Sequence, residues 1–398
     1  MKHWKRVVFG DLCDSISDTY HGKDNMVVLV NTSDVFNGKI LNHNRVPNKN
    51  LRGQFKKTFQ MDDILYSEIR PANRRFAFVD FANTGAYIAS TKLMVIRPHK
   101  NVVRPRFLFA LLSSNSVISE LQHLAESRSG TFPQITFATE IAPMPVKLPG
   151  LVTQDKIISV LSSIEQRITV NTQINDNLTE QARSIFQSWF IDYEPFGGSM
   201  PSDWQPSTFG QIANMKTDSW SPAKNPDVVV EYYSIPSYDE QRYPVFEIAS
   251  GIKSNKYLLT SDSVMISKLN PDTKRIWRPM CLSGHPVCST EFIVYEAKKK
   301  GQRDYIYSLI DSVPFFNHLC SHTTGSTNSR QRATPKSTLD FALCLPSDSV
   351  IEDFCQIVTP MYDLIASNVV ENQSLAKTRD SLLPRLMSGE LDVSGLDL

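Results

Sequence analysis

The chain has 398 residues, of which 41% are hydrophobic and 21% charged, and its formal net charge is +1. This length leaves room for two or three domains with their own cores, and the composition is ordinary for a soluble protein. No apolar run is long enough to span a bilayer, and the basic first residues lack the apolar segment of a signal peptide, so the sequence predicts a cytoplasmic protein that does not contact membranes.

The first half of the chain has the pattern of an α+β domain. Apolar residues at steps of three and four predict one helix from Phe107 to Leu124. A polar loop, 126–134, follows this helix, and its side chains can donate hydrogen bonds to phosphates and base edges, although any helix-to-strand connection has a similar composition. Runs rich in β-branched and aromatic residues predict strands at 27–30, 64–69, 76–79 and 92–97. The candidate DNA-binding residues of the loop are Arg128, Ser129, Thr131 and Gln134.

A long amphipathic helix is predicted from Thr153 to Phe190. No proline or glycine interrupts this stretch, and polar residues fill the face that the apolar residues leave. Such a helix is about 55 Å long, which is more than a small domain needs and favours a spacer or a coiled-coil strut. Its apolar stripe consists of Ile157, Val160, Leu161, Ile164, Ile168, Ile174, Leu178, Ile185, Phe186 and Trp189.

The second half follows the same plan. One helix is predicted from Ile306 to Leu319, and a second long amphipathic helix ends the chain. Pro360 lies inside that last helix and is predicted to kink or divide it. Strands are predicted at 228–235, 264–269 and 291–297. The polar loop of this half spans 322–331, and its candidate DNA-binding residues are Thr324, Ser326, Asn328, Arg330 and Gln331.

The two halves are copies of one unit, a globular domain followed by a long helix. Trp4 and the Phe9-Gly10 pair recur 200 residues later as Trp204 and Phe209-Gly210. The two long helices run in step at an offset of 197, so that their apolar and asparagine positions match. Two amphipathic helices in register, one after each half, predict that the helices pack against each other.

Basic residues also cluster between two predicted strands in each copy. Arginine presents a bidentate fork that suits phosphate or guanine, so these clusters are candidate DNA contacts. A solvated β-turn would have the same composition, and the sequence leaves both interpretations open. The candidates are Arg70, Asn73, Arg74 and Arg75 in the first copy and Lys268, Asn270, Lys274 and Arg275 in the second.

Charge is distributed unevenly along the chain. Residues 1–150 hold 20 Lys and Arg against 12 Asp and Glu, a net charge of +8, and residues 201–346 have a net charge of +2. The helical segments 151–200 and 347–398 have net charges of −3 and −6. A phosphate backbone would therefore meet the globular halves and avoid the helices, unless these are ordinary solvated surfaces.

Two rival functions remain open at this point. Asp272, Glu296 and Lys298 have the order of a metal-dependent nuclease site, because carboxylates on neighbouring strands can hold Mg²⁺. Short motifs of this kind recur by chance, and the matching stretch of the first copy lacks the carboxylates. The other rival is a coiled-coil scaffold that does not bind DNA, which the helices alone would permit.

The cysteines and histidines do not form a recognisable metal site. The six cysteines include no CxxC pair, which favours reduced thiols. His318, Cys320 and His322 could supply ligands, but structural zinc usually draws on two closely spaced pairs and the chain has no second pair. We therefore predict that the chain holds no metal.

These features resemble the specificity subunit of Type I restriction–modification enzymes along essentially the whole chain. The duplication is the defining feature of that family, and the Trp and Phe-Gly openings of both halves are typical of it. The other specific stretches are SGTFPQI at 129–135, PGLVTQDKIISVLSSIEQRI at 149–168 and LAKTRDSLLPRLMSGELDV at 375–393.

The resemblance implies an α+β fold with two target recognition domains, 1–148 and 197–345, each with a mixed sheet and helices and each reading half of a split DNA site. The helical segments 149–196 and 346–398 would pair as an antiparallel coiled coil with pseudo-twofold symmetry and act as a ruler. Two methylation subunits would dock on the helices, and two restriction subunits would join in the full enzyme. Those partners would bind S-adenosylmethionine, ATP and Mg²⁺, whereas this chain would hold no cofactor and no catalytic residue.

Overall fold

The computed structural model describes residues 4–49, 51, 53–128, 133–324, 331–393 and 395–396, without the side chain of Arg128. Contacts divide the chain into two units, one of Met1–Arg167 with Leu375–Leu398 and one of Ile168–Ser374. Each unit contains one globular domain and part of both long helices. The four segments predicted from the sequence differ from these units, because they assign each long helix to a single segment. They stay a prediction of how the chain is organised.

Two four-stranded sheets form the globular part of the first unit. One is antiparallel and pairs, in order, Cys13–Ile16, Leu93–Pro98, Ile64–Ser67 and Phe76–Phe78. The other pairs Arg45–Pro47, Met26–Val30, Tyr87–Ser90 and Phe55–Lys57, and its two middle strands run parallel. Branched residues from both sheets, such as Val30 and Val95, form a core between them. Shorter strands pair as Lys5–Val8 with Pro145–Leu148 and as Val35–Phe36 with Lys39–Ile40.

The helical region of this unit differs from the prediction of one helix. Two helices are present, Pro105–Leu112 and Asn115–Arg128. They separate at Ser114, whose hydroxyl accepts a hydrogen bond from the Val117 N–H at 3.4 Å, because serine competes for backbone donors at a helix start. A second core lies against these helices and includes Phe107 and Leu121.

The second unit repeats the two larger sheets of the first, with one additional strand in the sheet that contains a parallel pair. Its antiparallel sheet pairs Ala213–Lys216, Phe292–Ala297, Ser263–Ser267 and Ile276–Trp277. Its other sheet pairs Ser219–Trp220, Lys256–Leu258, Pro286–Cys288, Val229–Tyr233 and Val245–Ile248, and the pair formed by Pro286–Cys288 and Val229–Tyr233 is again parallel. Shorter strands pair as Gln205–Thr208 with Ala342–Leu345 and as Thr323–Thr324 with Arg332–Ala333. The matching strand order confirms the internal duplication.

The predicted helix of the second copy is also divided. Its two parts are Arg303–Asp311 and Val313–Ser321, and the hydroxyl of Ser312 between them accepts a hydrogen bond from the Phe315 N–H at 3.4 Å. Shorter helices span Phe209–Ile212 and Ile235–Gln241. None of the helices in the described parts of the chain is long and apolar enough to cross a membrane.

The two long helices, Leu151–Phe190 and Asp348–Met387, each have 40 residues. In the second unit, the Asn171 amide donates to Asn372 and the Phe186 ring packs against Phe354, so the helices run antiparallel. In the first unit, residues near the start of one helix share a core with residues near the end of the other. The predicted α+β fold with an antiparallel pair of long helices is confirmed.

Pro360 does not divide the last helix, and that part of the prediction is wrong. The helix continues through it, because Val358 and Tyr362 on either side are buried in the core of the second unit. Tertiary packing thus outweighs the missing backbone donor. The helix ends at Met387, and Gly389 follows with a left-handed φ of 75°. A side chain there would lie 3.1 Å from the Trp4 ring, so this close approach also favours glycine.

Candidate nucleic-acid interface

A tight turn between two strands of the first unit carries the first group of predicted DNA contacts. We call residues 67–75 the first basic turn. The Ser67 N–H donates to the Arg75 carbonyl oxygen at 2.8 Å, and the Asn73 N–H donates to the Arg70 carbonyl oxygen at 2.9 Å. Arg70 and Arg74 have left-handed φ values of 45° and 51°, which non-glycine residues adopt infrequently. The turn is therefore sharp, and main-chain hydrogen bonds hold its shape.

The end of the first polar loop lies directly beside this turn. The Arg70 N–H donates to the Pro133 carbonyl oxygen at 3.1 Å, and the Ile135 N–H donates to the Glu68 carbonyl oxygen at 2.9 Å. Gln134 forms an isolated β-bridge with Ile69. Two groups of residues that are more than 50 positions apart in the sequence thus form one surface.

The second unit contains the same arrangement at residues 267–275, which we call the second basic turn. The Ser267 N–H donates to the Arg275 carbonyl oxygen at 2.9 Å, as in the first copy. The Asn270 N–H donates to the Gln331 carbonyl oxygen at 2.9 Å, and Asn270 has a φ of 47°. The backbone of the turn is therefore duplicated together with its contact to the end of the polar loop.

Four of the predicted cations are engaged with protein partners. Arg75 donates to the Ser33 carbonyl oxygen at 3.1 Å and lies over the Phe36 ring. Arg275, at the matching position, forms a two-point ion pair with Asp239 at 2.6 and 2.9 Å. These two arginines therefore connect the end of each turn to a segment that lies about 40 residues earlier in the chain.

The two neighbouring cations contact the helices behind the turns. Arg74 donates to the side chain of Asn115. Lys274 pairs with the buried carboxylate of Asp311 at 2.6 Å, and Arg183 of the first long helix also pairs with that carboxylate at 2.6 Å. Arg74, Arg75, Lys274 and Arg275 thus have partners within the protein, and their contact with DNA stays a prediction.

The remaining described candidates differ in exposure. Arg70, Asn73 and Thr324 are exposed, and the exposure of Gln134, Lys268, Asn270 and Gln331 is intermediate. The Asn270 Oδ1 atom is buried and has no hydrogen-bond partner among the residues that the structure describes. Ser129, Thr131, Ser326, Asn328, Arg330 and the side chain of Arg128 lie outside the described residues.

Charged residues beside the turns were missed from the sequence. In the first unit, Lys92 pairs with Glu68 at 3.3 Å and donates to Gln134 at 3.4 Å. In the second unit, Arg332 pairs with Glu291 at 3.0 Å. The match between Ser90-Thr91 and Ser289-Thr290, directly before Lys92 and Glu291, was the signal that could have pointed to them.

The two copies carry opposite charges at matched positions of this surface. The Glu68 N–H donates to the Lys92 carbonyl oxygen at 3.0 Å, and the Lys268 N–H donates to the Glu291 carbonyl oxygen at 2.9 Å. Glutamate in one copy therefore corresponds to lysine in the other, and lysine corresponds to glutamate. One backbone frame presents two different charge patterns.

The residues of the nuclease motif do not converge. Glu296 is paired with Ser263 at one end of strand Ser263–Ser267, whereas Asp272 lies in the turn that follows the other end. The Glu296 carboxylate accepts hydrogen bonds from Thr260 and Ser263, and Lys298 donates to the Gly210 carbonyl oxygen at 2.6 Å. This arrangement gives no support to the hypothesis that the chain is a metal-dependent nuclease.

The histidines near the second polar loop have backbone partners. The His318 ring is 2.8 Å from the Ser337 carbonyl oxygen, and the His322 ring is 2.9 Å from the His318 carbonyl oxygen. Within the described ranges, no group of three or more His, Cys, Asp or Glu side chains is placed to hold a metal ion. Burial and the nearby Asp272 carboxylate raise the pKa of the Cys320 thiol, which disfavours the thiolate that a metal would bind.

Comparisons with known proteins concern one family. The family profile described as "Type I restriction modification DNA specificity domain" matches residues 1–180. The chain is 30% identical to the Type I restriction enzyme HindI specificity subunit of Haemophilus influenzae, over 98% of this chain and 100% of that protein. It is 23% identical to the MjaIX specificity subunit of Methanocaldococcus jannaschii, over 75% of this chain and 71% of that protein.

A solved structure has the same fold. It is the crystal structure of a Type-I restriction-modification system S subunit from M. genitalium, which is 14% identical to this chain. The match covers 98% of this chain and 97% of that chain, with a TM-score of 0.54.

Proposed function

The chain belongs to the specificity subunits of Type I restriction enzymes, and from this membership we propose that each domain reads one half of a bipartite DNA site. The observation that carries the proposal is the duplicated basic turn, joined in both copies to the end of a polar loop. Phosphate contacts from such turns would orient the duplex, and the exposed side chains beside them would read base edges. DNA recognition is therefore the function that this surface supports best.

The two halves of the site differ in sequence under this proposal. Arg70 in the first turn corresponds to Asn270 in the second, and the charges at 68 and 92 are inverted at 268 and 291. The inverted charges present different hydrogen-bonding groups to base edges, whereas the charge of Arg70 is available to a phosphate. The same backbone frame would thus select different bases in the two domains.

The long helices would set the separation of the half-sites and dock the partner subunits. Their net negative charge makes them poor DNA contacts and leaves them available for protein. We place two methylation subunits on them and two restriction subunits in the full enzyme, all in the cytoplasm. S-adenosylmethionine, ATP and Mg²⁺ would be bound by those partners.

DNA binding by the reconstituted methylation complex tests this proposal. Replacing Arg70 by Asn removes a charge and introduces the residue that the second copy carries at the same left-handed position, so the turn should keep its shape. We expect weaker binding and a logarithmic salt dependence that is flatter by about one, which is the effect of one lost phosphate contact. Titrations at several salt concentrations measure both quantities.

The control is Arg385→Ala, which removes an exposed arginine from the last long helix; once assembly with the methylation subunits has been verified, DNA binding by this variant should be unchanged. A relaxed choice of base in one half-site, with an unchanged salt slope, would mean that Arg70 reads a base. Absence of DNA binding in every variant would favour a scaffold that does not recognise DNA.

We also propose that the chain itself has no catalytic activity. Purified protein incubated with plasmid and Mg²⁺ should leave the DNA intact, because Asp272 and Glu296 do not form one site. Gel electrophoresis of the plasmid reports the result. Cleavage that disappears in Asp272→Ala and Glu296→Ala, but not in the control Asp203→Ala, would replace this proposal with the nuclease function.

A further inference from the structure

A layer of four asparagines, two of them buried and two half-buried, crosses the helix pair in the second unit. The Asn171 side chain is 1% exposed, and its amide donates to the Glu371 carboxylate at 2.7 Å and to Asn372 Oδ1 at 2.9 Å. The Asn368 side chain is 6% exposed, and its amide donates to Asn175 Oδ1 at 2.9 Å. We call Asn171, Asn175, Asn368 and Asn372 the asparagine layer.

The internal repeat relates the two pairs of this layer. The offset of 197 maps Asn171 onto Asn368 and Asn175 onto Asn372. Exchange of the two copies therefore converts the Asn171–Asn372 pair into the Asn368–Asn175 pair. The layer is duplicated with the rest of the chain, and each asparagine finds its partner on the other helix.

The positions of these asparagines specify one register. Apolar stripes tolerate a slip of four residues, because four residues are close to one helical turn. Such a slip would place Asn175 opposite Asn372 and would deprive Asn171 and Asn368 of their partners. Buried amides without partners are costly, whereas an all-leucine seam would accept either register.

We propose that the asparagine layer is the register key of the helix pair, and that it thereby gives the DNA site a single gap. The statement about the gap rests on the proposed function, whereas the statement about register does not. The layer is also a polar interruption of an apolar seam, which is the arrangement by which buried asparagine fixes register in coiled coils.

Cysteine cross-linking in the full chain tests the register without DNA. The asparagine pairs place Leu178 opposite Ile365, and a slip of four residues would place it opposite Val369. With the layer intact, Leu178→Cys should cross-link to Ile365→Cys and not to Val369→Cys. With all four asparagines replaced by leucine, both cross-links should form, and mass spectrometry of the linked peptides measures their ratio.

The controls separate register from stability and composition. Asn177→Leu with Ser367→Leu adds leucine at exposed positions of the same helices and should keep the native cross-link alone. Asn171→Leu with Asn372→Leu keeps one pair and provides a milder variant if the quadruple variant does not fold. A native cross-link alone in both leucine variants, or a slipped cross-link with the layer intact, would overturn the proposal.

Mapping of methylated sites by the reconstituted complex then tests the gap. We expect one gap for the intact layer and two gaps for the leucine variant. A changed cross-link with an unchanged gap would mean that the register key exists and that the helices are not the ruler. An unchanged cross-link would overturn the register key whatever the DNA result.

Discussion

Insertion of four helix-forming residues into each long helix, after Thr179 and after Asp363, is expected to widen the gap between the half-sites by one or two base pairs. Four residues lengthen a helix by about 6 Å, and DNA rises by about 3.4 Å per base pair. The two insertion points lie opposite each other, because Asn175 pairs with Asn368. Arg183 and Asp363 keep their contacts with Asp311 and Arg278, since both lie on the side of the second domain.

Methylated sites mapped for the reconstituted insertion mutant give the gap and the half-sites together. The half-sites should be unchanged, because neither basic turn is altered. A two-residue insertion at the same points is the control: it rotates the apolar stripes by about 200° and should prevent assembly. An unchanged gap in the four-residue mutant would show that the helices do not measure the site, and a changed half-site would show that the domains do not read independently.

Replacement of Asp304 by alanine is expected to lower the free energy of unfolding far more than replacement of an exposed aspartate. Asp304 is 3% exposed, and its carboxylate accepts hydrogen bonds from Arg278 at 2.7 Å and from Thr359 at 2.7 Å. Without it, the guanidinium of Arg278 keeps its exposed partner Asp363 and its contact with the face of the Tyr362 ring, but loses its buried carboxylate. Breaking a buried ion pair from one side costs about 3–5 kcal/mol in the free energy of unfolding.

Chemical denaturation of the two variants Asp304→Ala and Asp380→Ala measures the difference. Asp380 is exposed and pairs with Arg379 at 2.8 Å on the surface, so its removal should change the free energy of unfolding by at most about 1 kcal/mol. Equal losses in both variants would mean that the buried network contributes nothing beyond an ordinary surface pair.

The same carboxylate gives the stability a defined dependence on pH. Burial opposes the ionisation of Asp304, but the hydrogen bonds and charge of Arg278 hold its pKa below the ordinary value of 3.8. A carboxyl group whose pKa is lowered by folding stabilises the protein above its unfolded pKa, and that contribution is lost as the pH falls through the folded pKa. The destabilisation by Asp304→Ala should therefore be constant near neutral pH and diminish below about pH 4.

The duplication, the strands and the long helices could be predicted because their patterns are local. Strand runs and helical steps are visible within 10 to 40 residues, and an offset of 197 to 200 makes the copies recognisable. The breaks at Ser114 and Ser312 were missed because an apolar face continues across them. Whether a serine caps a new helix depends on which backbone donors lie near its hydroxyl.

The candidate site was only partly predictable. Clustering identified the basic turns, but not which cations remain accessible, because their partners are distant in sequence. Ser33 and Asp239, which hold Arg75 and Arg275, precede them by 42 and 36 residues. Long-range pairing of this kind follows from the fold and has no local pattern.

The contact between Trp4 and Gly389 has a counterpart that differs in connectivity. In the second unit, the ring centroids of Trp204 and Phe190 are 6.0 Å apart, and Phe190 is the last residue of the first long helix. Residues 191–203 connect the two in the chain. In the first unit, the equivalent tryptophan meets the end of the last long helix with no peptide segment between them. In the first unit the docking of a helix end onto its tryptophan therefore needs no covalent connection, whereas in the second unit Tyr193 and Phe196 of the connecting segment also pack against Trp204.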